Sequence, residues 1–354
     1  MNNRISVILP CQNERETISS CVDEIRDVAE KNHLEIEIIV SDSSSDGSDR
    51  IAKEMGVIVL KHDTDGYGFA IREGVKRATG DIIIYADADG TYNFSDIPNL
   101  LENLEENIVI GSRLRGNIDQ GAMPPLHRFF GTPLLNNLLR IFFGIKIGDS
   151  QSGFRAMSRR VFDALDLKTD GMEFATEMII KARERHIPFR EVPISYRKRK
   201  GVSKLRRYRD GFAHLKYIVL KIPFTLYRSV GFVFFLLGVM GLGVGSMIGG
   251  IFDSATVKIF FPVIGTELFF LGLFAKTYLM TRFGEEDGVI TKWYSWFRLP
   301  FALFLGALFL LYAVITRILV PGFPFDRELV SVFLGFQIII NSLVLSFLSI
   351  RHTT

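Results

Sequence analysis

Cysteine is scarce in this chain of 354 residues, which contains only Cys11 and Cys21. Two cysteines cannot build the disulfide framework of a small secreted domain, and their spacing matches no zinc motif. Histidine is also rare, with six residues that are nowhere paired at the spacing of metal ligands. We therefore predict packing roles for both thiols and no metal centre built from cysteine or histidine.

Glycine is missing where a dinucleotide-binding fold would need it. The turn after the first apolar run reads Pro-Cys-Gln-Asn-Glu-Arg-Glu, and the nearest glycine pair, Gly66 and Gly68, is followed by Ile71 where a third glycine should stand. This argues against a nicotinamide cofactor. The first apolar run itself, Ile5–Leu9, is short and leads into polar residues, so we expect no cleaved signal peptide and a cytosolic first domain.

Charges of the two signs nearly balance, with 42 basic and 39 acidic residues, while 48% of the chain is hydrophobic. A mean hydropathy of +0.23 is high for a soluble protein in which 23% of residues are charged. Such averages are typical of a globular domain joined to a membrane domain. We predict a soluble domain over residues 1–200, a juxtamembrane helix over 201–228 and a membrane domain over 229–354.

The soluble domain alternates short apolar runs with segments of helical spacing. The predicted strands are Ile5–Leu9, Glu35–Val40, Val57–Lys61, Asp81–Ala86 and Ile108–Gly111. The predicted helices are Thr17–Glu30, Ser48–Met55, Tyr67–Ala78 and Ser95–Leu104. This alternation predicts an α/β fold, a Rossmann-like and mostly parallel sheet with helices on both faces, whose ligands bind at the carboxyl ends of the strands.

Polar side chains follow three of these strands. Asn13 and Glu14 come after the first strand, Asp42 after the second, and Asp87 and Asp89 after the fourth. Two carboxylates one residue apart can hold Mg²⁺ or Mn²⁺ together with the oxygens of a diphosphate. The alternative is a polar turn with solvated acids, because this short motif is common by itself.

The region from Arg197 to Arg228 is strongly basic, with eleven lysines and arginines against the single acid Asp210. Apolar residues recur there every three or four positions, which predicts an amphipathic helix on an anionic lipid surface. Nucleic acid is the other partner that a basic run could indicate. We favour the membrane because a hydrophobic segment follows at once.

Four apolar stretches then follow, each close to the length needed to cross a bilayer. They are Ser229–Phe252, Ile259–Met280, Leu299–Val320 and Leu329–Ile350. The second contains Glu267, for which we favour structural pairing over a functional contact. Positive residues concentrate before the first stretch, so we predict a multi-pass protein of a cell membrane or endomembrane with the soluble domain and both termini in the cytosol.

Arginines recur in separate short signatures. They lie in Gly111-Ser112-Arg113, in His127-Arg128, in the segment Asp149–Arg155 and in the segment Arg199–Lys204. Guanidinium groups bind phosphate through two parallel hydrogen bonds, so arginines from several segments suit an anionic substrate.

The ordered set PCQNE, DSSSDGS, DADG, GSR, DSQSGFR and RKGVSK resembles the family 2 glycosyltransferases with the GT-A fold. Within that family it is similar to the dolichyl-phosphate mannose synthase and polyprenyl-phosphate glycosyltransferase branch, over roughly residues 4–210. The resemblance implies transfer of a hexose from a UDP- or GDP-linked sugar to a polyprenyl (dolichyl-type) phosphate, with inversion and with Mg²⁺ or Mn²⁺ as cofactor.

The resemblance also implies roles for matching positions. Pro10, Asn13, Glu14 and Asp42 would line the nucleotide pocket. Asp87 and Asp89 would hold the metal and diphosphate, and Asp149 would lie near the reacting centre. Arg113, Arg128, Arg199, Ser203 and Lys204 would face the substrate phosphates, with Gln151 and Arg155 shaping the loop around Asp149.

Three positions depart from the family pattern, and two other functions stay open. Gln12, Ser41 and Thr91 replace an aromatic residue, an acid and a glutamine, which leaves the nucleotide base and the sugar undetermined. A processive polysaccharide synthase is one alternative, although the QxxRW signature of such enzymes is absent. A non-catalytic membrane scaffold with a decayed transferase domain is the other.

Overall fold

The computed structural model describes residues 4–105, 107–200, 207–248, 251, 254, 256–284, 299–320, 322 and 324–349. The chain forms two compact units, Met1–Ile218 and Val219–Thr354. Helix Arg207–Lys221 lies across this division, so the boundaries expected at residues 200 and 228 stay predictions.

A mixed sheet organises the first unit. In the described part of the chain its strands are β1 (Ile5–Cys11), β2 (Ile36–Asp42), β3 (Ile58–Lys61), β4 (Ile82–Tyr85), β5 (Ile108–Ile118), β6 (Arg155–Ser158) and β7 (Phe189–Tyr196). Their order is β3-β2-β1-β4-β6-β5-β7. Strand β6 runs antiparallel to both β4 and β5, and the other pairings are parallel. The predicted α/β class and mostly parallel sheet are confirmed.

Helices connect the strands and cover both faces of the sheet. They are α1 (Ile18–Lys31), α2 (Ser48–Glu54), α3 (Tyr67–Arg77), α4 (Ile97–Glu102), α5 (Thr132–Phe143), α6 (Arg159–Leu165) and α7 (Phe174–Glu184). Side chains alternate along β1, so that Val7 and Leu9 join the core on the α1 face, while Ile8 joins the core that contains Phe174 of α7. The strand ends that carry polar residues therefore emerge from a rigid, two-sided core.

Helix α8 (Arg207–Lys221) belongs to the first unit up to Ile218. His214 is buried and shares a 2.8 Å hydrogen bond with Thr176 of α7, and burial lowers its pKa to about 4. Tyr217 also joins the core, whereas Phe212 is exposed. The helix is thus apolar on its packed side and partly apolar on its exposed side.

The second unit contains helices α9 (Phe224–Ile248), α10 (Phe261–Phe283), α11 (Leu299–Leu319) and α12 (Phe325–Ser349). Among the residues described, four segments are long and apolar enough to cross a membrane: Phe224–Gly243, Val257–Phe283, Leu299–Leu319 and Phe325–Leu348. The prediction of four spans is confirmed in number, and these segments indicate a membrane-embedded protein.

Polar pairing stabilises the carboxylate in the second span. Glu267 accepts hydrogen bonds from Gln337 Nε2 at 2.6 Å and from Asn341 Nδ2 at 3.0 Å, both on α12. Nearby, a methyl group built on Gly231 would lie 2.6 Å from the Gly265 carbonyl oxygen, so α9 and α10 pack closely there. Glu267 therefore has the structural partners that we expected of it.

Candidate functional site

The loops after β1 and β2 are joined by hydrogen bonds. Asn13 adopts a left-handed backbone conformation with φ of 54°, which asparagine tolerates well. Its amide donates to Ser44 Oγ at 2.6 Å, and its Oδ1 accepts from the Ser45 amide at 2.8 Å. The amide of Glu14 donates to Ser48 Oγ at 2.9 Å. Two segments that the sequence marked separately thus form one polar edge.

Asp42 is fully buried at the end of β2 and pairs with Lys61 at 2.7 Å. Burial acts to raise the pKa of this carboxyl, but hydrogen bonds from Lys61 and Ser44 outweigh it and lower the pKa. Sequence reasoning missed Lys61. Its position at the end of β3 was the available signal, because β2 and β3 are adjacent and Asp42 is in register with Lys61.

Asp87 and Asp89 follow β4, as predicted. Asp89 is 6% exposed, and its Oδ1 accepts hydrogen bonds from Thr91 N at 3.0 Å and Thr91 Oγ1 at 2.6 Å. Burial, and then the neighbouring charge of Asp89, raise the pKa of Asp87 to about 7. The hydroxyl of Thr17 donates to the Ala88 carbonyl at 2.7 Å, which fixes this turn against α1.

The absence of a side chain at Gly153 makes room for the carboxylate of Asp87. A methyl group at this glycine would stand 2.7 Å from the Tyr67 hydroxyl and 3.1 Å from Asp87 Oδ1. The Gly153 amide donates to the buried Tyr92 hydroxyl at 2.7 Å. The segment Asp149–Arg155 is thereby held against the turn that carries the two acids.

Arg199 joins the acid pair to the first loop. Its Nη1 lies 2.8 Å from Asp89 Oδ2, and its Nη2 donates to Glu14. We expected Arg199 to face substrate phosphates, and the structure places it on carboxylates. Ser203 and Lys204, which belong to the same signature, lie outside the described residues.

Arg113 and Asp149 form a buried ion pair. Arg113 Nε and Nη2 donate to the two carboxylate oxygens at 2.9 and 2.7 Å, and the Arg113 amide donates at 2.9 Å. Burial acts to raise the pKa of Asp149, but Arg113 outweighs it and lowers the pKa. Three donors of Arg113 are thus directed at Asp149, and its guanidinium carbon lies 5.3 Å from the centre of the Tyr196 ring.

Glu191 of β7 supports the same segment and was not predicted. It accepts from the Gly148 amide at 2.9 Å and from the Asp149 amide at 2.7 Å, and it pairs with Arg115 at 3.1 Å. No sequence pattern marked this residue, because its partners are more than 40 positions away. Glu191 fixes the backbone that presents Asp149.

Arg155 and Gln151 shape the segment between Asp149 and β6. The fully buried guanidinium of Arg155 donates to the carbonyls of Ser150 at 2.7 Å, Ser152 at 3.0 Å and Ala175 at 3.2 Å. Gln151 Nε2 donates to Ser150 Oγ at 3.0 Å. These three carbonyl contacts of Arg155 hold the backbone between Asp149 and β6 in place.

Arg128 lies on a π-helical turn, His127–Gly131. Its guanidinium carbon is 5.4 Å from the centre of the Phe129 ring. Its surroundings are apolar and exposed, with Leu126, Phe129 and Phe130 at 56%, 70% and 69% exposure. Arg128 therefore presents a cation on an apolar protein surface.

The described residues contain no group of three or more histidine, cysteine, aspartate or glutamate side chains that could hold a metal ion. The pair Asp87 and Asp89 is nevertheless suited to a cation that takes its remaining ligands from a substrate. The raised pKa of Asp87 reflects two adjacent carboxylates in a buried setting, and a divalent cation would relieve their repulsion. The residues present therefore fit a metal held jointly by protein and diphosphate.

The mixed sheet, the acid pair after β4 and the polar edge after β1 and β2 form one candidate site at the ends of the strands. Residues 6–166 match the family described as Glycosyl transferase family 2, and the chain belongs to this family. The resemblance drawn from its motifs is thus confirmed.

The relatives match about two thirds of this chain. The chain is 37% identical over 241 residues to the low-salt glycan biosynthesis hexosyltransferase of Haloferax volcanii, covering 67% of this chain and 58% of the relative. It is 28% identical over 217 residues to a dolichyl-phosphate hexose transferase of the same organism, covering 61% and 92% respectively. The chain thus spans little more than half the length of the first of these relatives.

A solved structure shares the fold. The glucosyl-3-phosphoglycerate synthase of Mycobacterium tuberculosis, in complex with Mn²⁺, UDP and phosphoglyceric acid, superposes with a TM-score of 0.50 at 22% identity. The match covers 62% of this chain and 80% of that protein. At this identity the likeness establishes the GT-A fold and nothing further.

Proposed function

We propose that this membrane glycosyltransferase transfers a hexose from a UDP- or GDP-linked sugar to a polyprenyl phosphate, with inversion at the anomeric carbon. The observation that carries the acceptor assignment is the setting of Arg128, a cation among exposed apolar side chains. A phosphate attached to a hydrocarbon chain matches both features of that surface. The name of the dolichyl-phosphate hexose transferase relative supports the same acceptor class.

The donor would bind at the polar edge after β1 and β2. The nucleotide pocket would be lined by Pro10, Asn13, Glu14 and Asp42. The diphosphate would lie beside Asp87 and Asp89. A bound Mg²⁺ or Mn²⁺ would neutralise the charge that develops on the departing nucleoside diphosphate. Arg199, which pairs with Asp89 and Glu14, would lie beside the same diphosphate if Asp89 faces it.

In the proposed reaction an acceptor phosphate oxygen forms a bond to the anomeric carbon. The bond from that carbon to the diphosphate oxygen breaks, and its electron pair leaves with the nucleoside diphosphate. A phosphate monoester is largely a dianion at neutral pH, because its second pKa is near 6. No proton must be removed before attack. Asp149, held on both oxygens by Arg113, is then an organiser of the site and not a general base.

The direct test supplies membranes containing the full chain with a panel of labelled nucleotide-sugars and polyprenyl phosphate. We expect label from one donor to enter the organic phase in a form that releases sugar on mild acid treatment. Label in an insoluble polymer would instead support a polysaccharide synthase. Donor binding without any transfer would support a non-catalytic scaffold.

Arg128→Ala is expected to weaken acceptor use far more than donor use. Losing a two-point phosphate contact costs about 1.5–3 kcal/mol, or roughly tenfold to a hundredfold in kcat/KM for the acceptor. Arg128→Lys should restore only part of this loss, because lysine lacks the planar fork. Arg140→Ala is the matched control, since Arg140 is also exposed and lies on the next helix. Normal acceptor kinetics with poor donor binding would reassign Arg128 to the nucleotide.

The pH dependence of Asp149→Asn tests the role of Asp149. We expect a slow variant whose residual rate rises with ionisation of the acceptor phosphate, near pH 6, as the wild-type rate does. The measurement is a pH–rate profile of both proteins with the same polyprenyl phosphate. If the substitution removes an acidic limb that the wild type shows well away from that pKa, Asp149 acts as a base.

The proposed topology places the catalytic unit and both termini in the cytosol. Four spans then put the loop before α12 on the opposite side, so a Pro324→Cys variant should react with an impermeant thiol reagent only from outside. Lys53→Cys on α2 is the paired control and should react only from the cytosolic side. Background labelling should be low, because Cys11 and Cys21 are buried. Labelling of position 324 from the cytosol alone would contradict this topology.

A further inference from the structure

Asp42, the acid at the end of β2, is enclosed by protein groups. Its side chain is fully buried. Its Oδ2 accepts hydrogen bonds from Lys61 Nζ at 2.7 Å and from the Ser44 amide at 3.1 Å, and its Oδ1 accepts one from the Ser44 hydroxyl. Asp42 therefore supports the proposed nucleotide pocket from within, and contact with a base at this edge of the sheet falls to another side chain.

An exposed pair of side chains crosses the end of β2. Gln12 follows β1 directly, Asp65 lies between β3 and α3, and Gln12 Nε2 donates to Asp65 Oδ1 at 2.7 Å. Strand β2 lies between β1 and β3, and Cys11, Asp42 and Lys61 are in register at the strand ends. A hydrogen bond from the loop after β1 to the loop after β3 therefore spans two strand spacings, about 10 Å, over the end of β2.

Two aromatic rings lie at the same strand ends. His62 comes directly after β3, with its Nε2 3.2 Å from Ser41 Oγ and its Nδ1 2.8 Å from the Thr64 carbonyl oxygen. Its ring packs edge-on against Phe69 of α3, with the ring centres 5.1 Å apart. His62 is thus held by both ring nitrogens and by Phe69. Flat rings beside a hydrogen-bonding group are typical of sites that bind a planar base.

The backbone links this pair to the acids after β4. Tyr67, the first residue of α3, comes two residues after Asp65, a separation of at most about 7 Å along the chain. A methyl group built on Gly153 would lie 2.7 Å from the Tyr67 hydroxyl and 3.1 Å from Asp87 Oδ1, so that hydroxyl lies beside Asp87. The start of α3 thus connects the place proposed for the diphosphate with the Gln12–Asp65 pair. A nucleoside attached to that diphosphate would extend toward Asp65.

We propose that Asp65 recognises the base of the nucleotide-sugar donor. Its Oδ2 accepts the ring N–H that uracil and guanine both carry beside a carbonyl, while Gln12 holds its Oδ1. Within the described residues, Asp65 Oδ2 accepts no hydrogen bond from the protein. Cytosine has a lone pair at the corresponding ring nitrogen, which the carboxylate repels. The inference rests on the proposed function, because it takes the donor to carry a UDP or GDP group.

The test measures binding of UDP, GDP and CDP to the full-length protein in detergent with Mn²⁺, by isothermal titration calorimetry. The variants are Asp65→Ala and Asp65→Asn, of which the second has an amide that can donate to the ring nitrogen of cytosine. Asp63→Ala is the matched control, because Asp63 is also exposed and lies in the same loop.

The wild type and Asp63→Ala should bind UDP or GDP more tightly than CDP. Asp65→Ala should weaken binding of that preferred nucleotide by about tenfold to a hundredfold, and Asp65→Asn should shift the preference toward CDP. Unchanged affinity of Asp65→Ala for UDP and GDP would overturn the proposal, and so would an equal loss for all three nucleotides. Because turnover is not measured, the expected binding without sugar transfer to polyprenyl phosphate would refute the proposed function alone. Transfer by a wild type whose nucleotide affinity does not depend on Asp65 would refute this inference alone.

Discussion

Asp89→Ala is expected to abolish sugar transfer, with a loss of about a thousandfold or more. Asp89 is the more buried member of the acid pair, and in our proposal it faces the cation and the diphosphate. Removing one group that stabilises developing charge commonly costs about 10²–10³ in kcat, and here the same change would also impair metal binding. The measurement is initial rate at saturating donor, with and without added Mg²⁺ or Mn²⁺.

Two controls separate this loss from damage to the fold. Asp89→Asn keeps the acceptor oxygen for Thr91 N and Oγ1 but loses the charge, and it should be nearly as inactive as Asp89→Ala. Asp163→Ala removes an exposed acid on α6 and should retain full activity. Undiminished turnover of the wild type in excess chelator would refute the metal assignment, whatever the variants do.

Arg113→Met is expected to destabilise the catalytic unit by about 3–5 kcal/mol, because it leaves the buried carboxylate of Asp149 without its ionic partner. The matched control is Arg115→Met. Arg115 is two residues away on the same strand and pairs with Glu191, but its side chain is 57% exposed, so its removal should cost less than about 1 kcal/mol. Thermal unfolding of both variants in the same detergent gives the comparison. Equal unfolding midpoints of the two variants would show that the buried Arg113–Asp149 pair contributes no more stability than the exposed Arg115–Glu191 pair.

The pH dependence of stability gives an independent check on the same pair. Arg113 holds the folded-state pKa of Asp149 below its usual value, against the effect of burial. The resulting stabilisation is fully present above the unfolded-state pKa, about 3.9, and is lost as pH falls through the folded-state pKa. In Arg113→Met the amide of residue 113 and the charge of Arg155 still oppose burial, but the guanidinium of Arg113 does not. The stabilising contribution of Asp149 should therefore shrink, and the variant should lose less stability than the wild type as pH falls.

The sequence predicted the acid pair after β4 but not every strand of the sheet. Asp87 and Asp89 were predictable because an apolar strand ends just before them, and the direction of a strand fixes where its end lies. Strand β6 was not predictable. It has four residues and a fully buried arginine, so neither its length nor its periodicity distinguishes it from a loop. The seven-stranded order of the described sheet therefore came only from the structure.

The arginines illustrate the same difference. Arg113, Arg128, Arg155 and Arg199 looked equivalent as candidate phosphate ligands or loop residues, because a guanidinium group has the same donors wherever it stands. The structure gives them four different environments: a buried carboxylate, an exposed apolar surface, backbone carbonyls, and a pair of acids on two loops. Burial and distance decide which partner a charge takes, and neither is a local property of the sequence.

By itself, the sequence determined the α/β class, the acid pair, the four spans and the family, because each depends on residues that are near one another in the chain. Tertiary structure alone decided the partners of Asp42 and Asp149 and the outward direction of Phe130, which depend on segments far apart in the chain. Apolar residues at helical spacing predict a helix, but they do not show which of two apolar sides the core will cover. In α5 the core covers Leu135 and Leu139 and leaves Leu134 and Ile141 exposed.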